Sequence, residues 1–336
     1  MAVSVVVGGQ YGDEGKGKII SYLALHDNPD VIARGGGGPN AGHSVEHKGK
    51  KYKIRLCPSG LVNEKAKLVI GAGVFVDPQV FLNEVKEFRL GDRCKVDRRA
   101  TLITQEYKDI DGASANSAKI GTTKTGMGPT AAARASRTAK FVDTVDGLKP
   151  YLCDCHEIVN SSKNVLVEGS QGFMISNLYG TYPFCTSKDV SASAICAEVG
   201  LGPTNVDNVI MVIKAYTTRV GNGPFEGEVS EEEAKKLGMQ EYGTVTGRPR
   251  RTNTSLIWNE LKYAAMVNGA TCLALTKLDV KFPSCAGMRE FSKLPEEAKK
   301  FVQEVEAKAM VPVGLIGTGA DASAIIDRRE ELGIKR

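Results

Sequence analysis

The sequence predicts an α/β protein: a single large domain over residues 1–336, in which a central, mostly parallel β-sheet is flanked by helices and carries mobile ligand loops. Three observations lead to that expectation. Apolar runs of strand length alternate with helical patterns along most of the chain, the order that builds parallel sheets through βα crossovers. Glycine clusters at 35–42, 121–128 and 219–227 fall between such elements, where α/β proteins place their ligand loops. Hydrophobic residues make up 42% of the 336 and charged residues 25%, an ordinary globular balance that supports a sizeable core and excludes disorder.

Each element has a local reason. Residues 4–7 form an apolar run that enters a glycine turn, and a helical pattern follows over 15–25. The run 68–76 reads as a strand; Asp77 then caps an amphipathic helix over 80–90, with Pro78 in its first turn. Residues 165–167, 209–213 and 272–275 are further short buried strands, and 256–267 has helical spacing. The run 311–316 leads through a glycine turn at 317–319 into a helical pattern over 322–332. Ser230 with Glu233 spells a capping box, and 296–309 reads as a solvated helix. No internal repeat or low-complexity linker interrupts the order.

Charge and cysteine usage narrow the function classes. Lys and Arg total 44 against 39 Asp and Glu, and a net charge of +5 is too dilute for a dedicated nucleic-acid binder. Aromatics at 6% form no stripe interleaved with basic residues, so RNA binding is not expected. No apolar run approaches the roughly 18 residues of a spanning helix, and the opening MAVSVVVGGQ lacks a basic region, so a cytoplasmic protein without membrane contact is expected. Cys153, Cys155 and His156 crowd together, but no second ligand pair stands at a zinc-like spacing.

Four segments carry chemistry. After the first strand, Gly12 to Lys18 satisfies G-x-x-x-x-G-K, a loop that presents backbone N–H groups and lysines to phosphates. Ile19 stands where a Walker loop needs Ser or Thr for magnesium, so the metal ligand must come from elsewhere, and Asp13 is the candidate, as ligand or as base. The second loop, Gly35 to Ser44, holds His43 among glycines, where an imidazole can approach a ligand and donate a proton. Thr276-Lys277-Leu278-Asp279 ends a buried strand with the spacing of a guanine-reading Lys-x-Asp. A fixed Asp accepts from both N1–H and the exocyclic amine of guanine, whereas adenine has no proton on N1, so GTP is favoured over ATP. Gly317 and Gly319 can complete that base pocket. Finally, Arg248, Arg250 and Arg251 lie among small residues in Gly243 to Thr252, and guanidinium forks match the carboxylates of a small substrate.

Taken in order, GGQYGDEGKGK, NAGHS, GTTKTGMGP, VEGSQG with TYPFCTS, TTRVGNGPF, TGRPRRT and TKLDV resemble the motif series of adenylosuccinate synthetase, from Gly8 to about Asp321. The resemblance implies a homodimeric ligase, distantly like P-loop GTPases in its nucleotide fold, that joins L-aspartate to IMP with GTP as co-substrate and one Mg²⁺ per subunit. It is the first committed step from IMP to AMP. The resemblance makes Asp13 the base and His43 its partner, with Asp13 and the carbonyl of Gly42 on the metal. Gly12, Glu14, Gly15, Lys16, Gly17, Lys18 and Ser44 would meet the GTP phosphates, and Lys277, Asp279, Gly317 and Gly319 the guanine. Asn40, Thr122, Thr123, Gln171, Thr186, Val220 and Arg248 would hold IMP, with Arg137 reaching across the dimer interface to its phosphate. Thr246, Arg248 and Arg250 would take aspartate. The chain departs from the family pattern in being shorter than the usual form, in Tyr11 for Trp, in Pro249 within the arginine run, in 173–179 and in Ala320. The competing expectation is a regulatory P-loop-like GTPase, against which Ile19 counts.

Overall fold

Strand-length apolar runs pair side by side wherever both faces can be covered, and here that produces one dominant sheet. The computed structural model describes residues 1–243 and 247–335. The chain opens with β1 (Ala2–Gly8), α1 (Lys16–His26), β2 (Val31–Arg34), an antiparallel hairpin of β3 (His43–His47) and β4 (Lys50–Ile54), β5 (Lys67–Ile70), β6 (Phe75–Val76), α2 (Pro78–Glu87), β7 (Cys94–Asp97) and β8 (Thr101–Leu102). It continues through α3 (Gln105–Ala113), α4 (Ala115–Ile120), α5 (Met127–Ser136), β9 (Leu152–Cys153), α6 (Cys155–Ser161), β10 (Asn164–Glu168), α7 (Ala192–Val199) and β11 (Asn208–Lys214). The remainder comprises β12 (Thr217–Arg219), α8 (Glu231–Lys236), β13 (Arg251–Asn253), α9 (Trp258–Asn268), β14 (Cys272–Thr276), α10 (Leu278–Lys281), α11 (Glu296–Ala309), β15 (Val313–Gly317) and β16 (Ile325–Asp327).

Ten strands form the sheet in the order β16-β15-β14-β11-β1-β10-β2-β5-β7-β9. Every neighbouring pair is parallel except β15 with β16. Alternate residues feed two cores. Val5, Val7, Val167, Met211 and Leu275 pack towards α7, α9 and α11, whereas Val6, Val212 and Ala274 face Ile20 and Leu23 of α1 and Phe81 of α2. Both faces are therefore apolar, as a covered parallel sheet requires. β1 lies between β10 and β11, so the chain leaves it in one direction and returns on the other side, and the crevice at the carboxyl ends of these strands is the switch point where such sheets bind ligands.

Two expectations are corrected. The run 68–76 is two strands, because Gly71 and Gly73 break it to let α7 approach; a Cβ on Gly73 would lie 2.1 Å from Cγ of Glu198. The segment 322–332 is not a helix: it forms β16 and then turns. Its two arginines are buried in ion pairs, Arg329 to Asp27 at 2.7 Å and to Asp327 at 2.8 Å, and Arg328 to Glu306 at 2.9 Å. Those partners come from distant elements, and the Ile325–Ile326 pair gains more by extending the sheet edge than by helical spacing. The helix over Glu296–Ala309 stands as expected, and Ser230 caps α8 through the Glu233 N–H at 3.2 Å. Among the described residues no helix is long and apolar enough to cross a membrane.

Candidate functional site

The phosphate loop gets its shape from left-handed backbone at Gly12, Asp13 and Gly15, with φ of 95°, 59° and 92°. Glu14 is what holds it: the buried carboxylate accepts from the N–H of Gln10 at 3.1 Å and of Gly12 at 2.9 Å and pairs with Lys16 at 2.7 Å. Its carboxylate therefore acts from inside the loop and does not line the cleft. α1 starts at Lys16 and aims its N-terminus at the cleft, a ready anion site. Gly17 is needed for contact with the second loop, since a Cβ there would lie 3.1 Å from Cβ of His43. Ile19 is fully buried in the core under α1. Lys18 lines the cleft and also ties it together: its ammonium donates to the carbonyls of Gly319 at 2.5 Å and Ala324 at 2.8 Å, which secures the loop after β15, and burial pulls it down to about 8. Thr276 Oγ1 donates to the Glu14 carbonyl at 2.6 Å, which fixes the phosphate loop against the strand that delivers Lys277 and Asp279.

His43 opens β3 at the end of the second glycine loop and is buried. Its Nδ1 lies 2.5 Å from Oε1 of Glu168 and 2.8 Å from Oγ of Ser59. Ser59 also gives Glu168 its backbone N–H at 2.6 Å, and Arg34 stands 4.0 Å away. Burial pushes the Glu168 carboxyl up, but His43, Arg34 and Ser59 outweigh it and hold the group at about 2. Burial lowers the His43 imidazole, with Glu168 opposing. The carboxylate thus stays charged, orients the ring through Nδ1 and leaves Nε2 as the working atom. His26 is exposed, and His47 and His156 are half-buried away from this pocket.

Across the cleft, Asp13 meets Arg250, Nε to Oδ2 at 2.5 Å. Asp111 organises the GTT segment, accepting from Ser117 Oγ at 2.6 Å, from Thr122 Oγ1 at 3.2 Å and from the Gly126 N–H at 2.8 Å. Four buried polar atoms, Asn40 Oδ1, Gln171 Oε1, Ser187 Oγ and Gln240 Oε1, have no hydrogen-bond partner among the described residues. Their residues line the same cleft. Buried polar atoms without partners cost about 1–3 kcal/mol each, so they mark where a polar ligand is received.

One cleft of about 990 Å³ collects nearly every expected residue: Gly12, Asp13, Gly15, Lys16, Gly17, Lys18, Asn40, Gly42, His43, Ser44, Thr122, Thr123, Gln171, Thr186, Val220, Arg248, Arg250, Lys277, Asp279 and Gly319 all line it. Glu14, Gly317 and Arg137 do not. Gly317 ends β15 inside the sheet, and Arg137 is exposed at the C-cap of α5. Thr246 lies outside the described residues. Asp13 and Gly42 offer the cleft one carboxylate and one carbonyl oxygen, hard donors that fit Mg²⁺, an ion that keeps several waters and takes its other ligands from substrate phosphates. No group of three or more His, Cys, Asp or Glu is placed to hold a metal among the described residues.

Sequence reading missed Glu168, Ser59, Arg34, Asp111 and Glu241. Glu168 left a signal, a carboxylate ending the apolar run Val165-Leu166-Val167; Ser59 left none, because a Pro-Ser-Gly turn is common.

A family model described as adenylosuccinate synthetase matches residues 5–146 and 138–284. The adenylosuccinate synthetase of Thermococcus sibiricus is 52% identical over 98% of this chain and 99% of its own length. That of Pyrococcus horikoshii is 50% identical over 98% and 99%, and that of Methanococcus aeolicus 49% over 98% and 100%. The short form is thus shared by these relatives. The fully ligated adenylosuccinate synthetase of Plasmodium falciparum superposes with a TM-score of 0.91 at 26% identity, covering 97% of this chain and 100% of that chain. The cyanophage S-2L succinoaminodeoxyadenylate synthetase bound to dGMP and dATP shares the fold, with a TM-score of 0.83 at 24% identity over 99% and 98%.

Proposed function

The chain belongs to the adenylosuccinate synthetase family, and from that premise we propose how its residues divide the reaction. The activity is GTP-dependent ligation of L-aspartate to IMP, giving adenylosuccinate, GDP and phosphate. The observation that supports the division of labour best is the single cleft, in which a phosphate loop, a Lys-x-Asp, a histidine–carboxylate pair and an arginine loop converge.

Asp13 takes the N1 proton of IMP as O6 attacks the γ-phosphorus of GTP; the O6–P bond forms while the bond to the β-phosphate oxygen breaks. A carboxylate is too weak a base to remove a lactam proton beforehand, so the two events are coupled. His43, held through Nδ1–H by Glu168, acts as the imidazolium, which that carboxylate favours against burial, and donates Nε2–H to the developing phosphoryl charge. The amine of aspartate then attacks C6 of 6-phosphoryl-IMP, the C6–O6 bond breaks, and phosphate leaves. Gly15, Lys16, Gly17 and Ser44 bind the GTP phosphates, and Lys277 with Asp279 reads guanine. Asn40, Thr122, Thr123, Gln171, Thr186, Val220 and Arg248 hold IMP, whose polar groups answer the partnerless Asn40 and Gln171 oxygens. Thr246, Arg248 and Arg250 hold the carboxylates of aspartate, drawing Arg250 from Asp13 and freeing the base. Mg²⁺, held by Asp13 and the Gly42 carbonyl, would neutralise phosphate charge when bound.

We further propose a single-domain subunit that works as a homodimer in the cytoplasm, where its substrates are. Arg137 is exposed and lies outside its own cleft, so a role at the IMP phosphate needs a second subunit. The test is GTP turnover with IMP and L-aspartate added separately and together, reading adenylosuccinate by absorbance. Product should appear only with all three; GTP consumption indifferent to IMP and aspartate, as a regulatory GTPase would show, overturns the reading.

A further inference from the structure

Glu241 stands where the arginine loop leaves the body of the protein, and its side chain and backbone serve different parts of the cleft. The carboxylate is only 17% exposed; Oε1 accepts from Tyr216 Oη at 2.6 Å and Oε2 from Lys214 Nζ at 2.9 Å. Lys214 is fully buried at the end of β11 and also bonds Thr218, so Glu241 is the counter-charge of an ammonium that cannot reach water. The same Oε1 lies 3.8 Å from Nζ of Lys277, which is 45% exposed and sits at the mouth of the base pocket. The Glu241 backbone carbonyl accepts from the Arg250 N–H at 2.8 Å, and Arg250 in turn reaches Asp13. One residue therefore joins the guanine-reading lysine to the arginine that takes substrate carboxylates and sits against the base.

We propose that Glu241 is a positioning residue that couples guanine occupancy to the geometry of Arg250, resting on the roles given above to Lys277, Asp279 and Arg250. Its two strong bonds pin the carboxylate, whereas 3.8 Å to Lys277 is longer than a hydrogen bond and leaves that ammonium loosely held. A base packed on Lys277 holds its ammonium against Oε1, which it then shares with Tyr216, and the resulting shift of Glu241 reaches Arg250 through the Glu241 carbonyl. Linkage makes the effect reciprocal: bound aspartate favours guanine nucleotide by the factor with which guanine favours aspartate.

Steady-state kinetics with GTP, IMP and L-aspartate on Glu241→Gln, Asp279→Asn and the double variant test this. Glu241→Gln is expected to raise the KM for aspartate about tenfold, with kcat changed less than about threefold and the KM for IMP unmoved. Asp279→Asn should raise the aspartate KM in the wild-type background and add nothing in the Glu241→Gln background. A Glu241→Gln variant whose kcat falls with KM unmoved, as a loss of active fraction gives, or two effects that simply multiply, overturns the coupling. Should Glu241→Gln leave Lys214 uncompensated and fail to fold, Tyr216→Phe removes one bond to Glu241 and no charge. It is expected to raise the aspartate KM about threefold, and an unmoved KM there overturns the proposal. Wild-type GTP consumption that needs neither IMP nor aspartate overturns the site reading and the coupling with it, whereas wild-type ligation with multiplicative effects overturns the coupling alone.

Discussion

Two carboxylate contacts serve the same cleft at the same 2.5 Å separation, His43 with Glu168 on its floor and Asp13 with Arg250 across its mouth. The floor pair is 8% and 0% exposed, backed by Ser59 and Arg34, and joins the start of the β3–β4 hairpin to the end of β10 in the central sheet. The mouth pair is 29% and 10% exposed, and one partner belongs to a loop. Distance is thus not what separates their roles. The buried pair has no competing ligand and cannot be broken without stranding a charge, so it is permanent preorganisation. The mouth pair is less buried, and under the roles proposed above for Asp13 and Arg250 it is the contact that substrate carboxylates replace.

The largest effect expected is at the mouth. Asp13→Asn should lower kcat by about 10⁴-fold, roughly 5.5 kcal/mol, while GDP affinity measured by calorimetry stays within a few-fold; retained turnover excludes Asp13 as base. On the floor, Glu168→Gln leaves Arg34 with an uncompensated buried charge and should cost about 3–5 kcal/mol of stability in denaturant unfolding; a loss below 1 kcal/mol would show that the floor pair is no more than a surface contact. Acid probes the same group. With Glu168 held at about 2 in the folded protein against an ordinary 4.5, its stabilisation is complete above the unfolded value and is lost as pH falls towards the folded one. That amounts to on the order of 3 kcal/mol, read as the difference in unfolding free energy between about pH 6 and pH 2, and Glu168→Gln should flatten it. Arg250→Met should raise the KM for aspartate about 30-fold, near 2 kcal/mol, with less change in the KM for GTP; an equal rise in both would mean the mouth pair is not exchanged for aspartate. Smallest, Asp279→Asn should erode the preference for GTP over ATP by about tenfold, and unchanged selectivity removes it from the base pocket.

Most of the sheet was legible because parallel, doubly covered strands announce themselves as continuous apolar runs such as Val165-Leu166-Val167 and Cys272–Thr276. The loops were legible because glycine clusters stand between strands and helices, and the Lys16, His43, Lys277 and Asp279 picked out beside them line one cleft. The segment 322–332 was misread because Arg328 and Arg329 look like a solvated helical face until Glu306, Asp27 and Asp327 are beside them. The Gly319 and Ala324 carbonyls that hold Lys18 were not legible, because a local motif cannot show partners at the far end of the chain.

By itself the sequence determined the layered α/β core and the chemical equipment of each loop, since periodicity, glycine placement and side-chain type are local properties of the chain. Only the tertiary structure decided which groups act together. Glu168 reaches His43 across 125 residues and Arg250 reaches Asp13 across 237, because β10 inserts between β1 and β2 and Arg250, just before β13, lies against the phosphate loop. Burial, not spacing, then made one of these pairs permanent and left the other open to exchange.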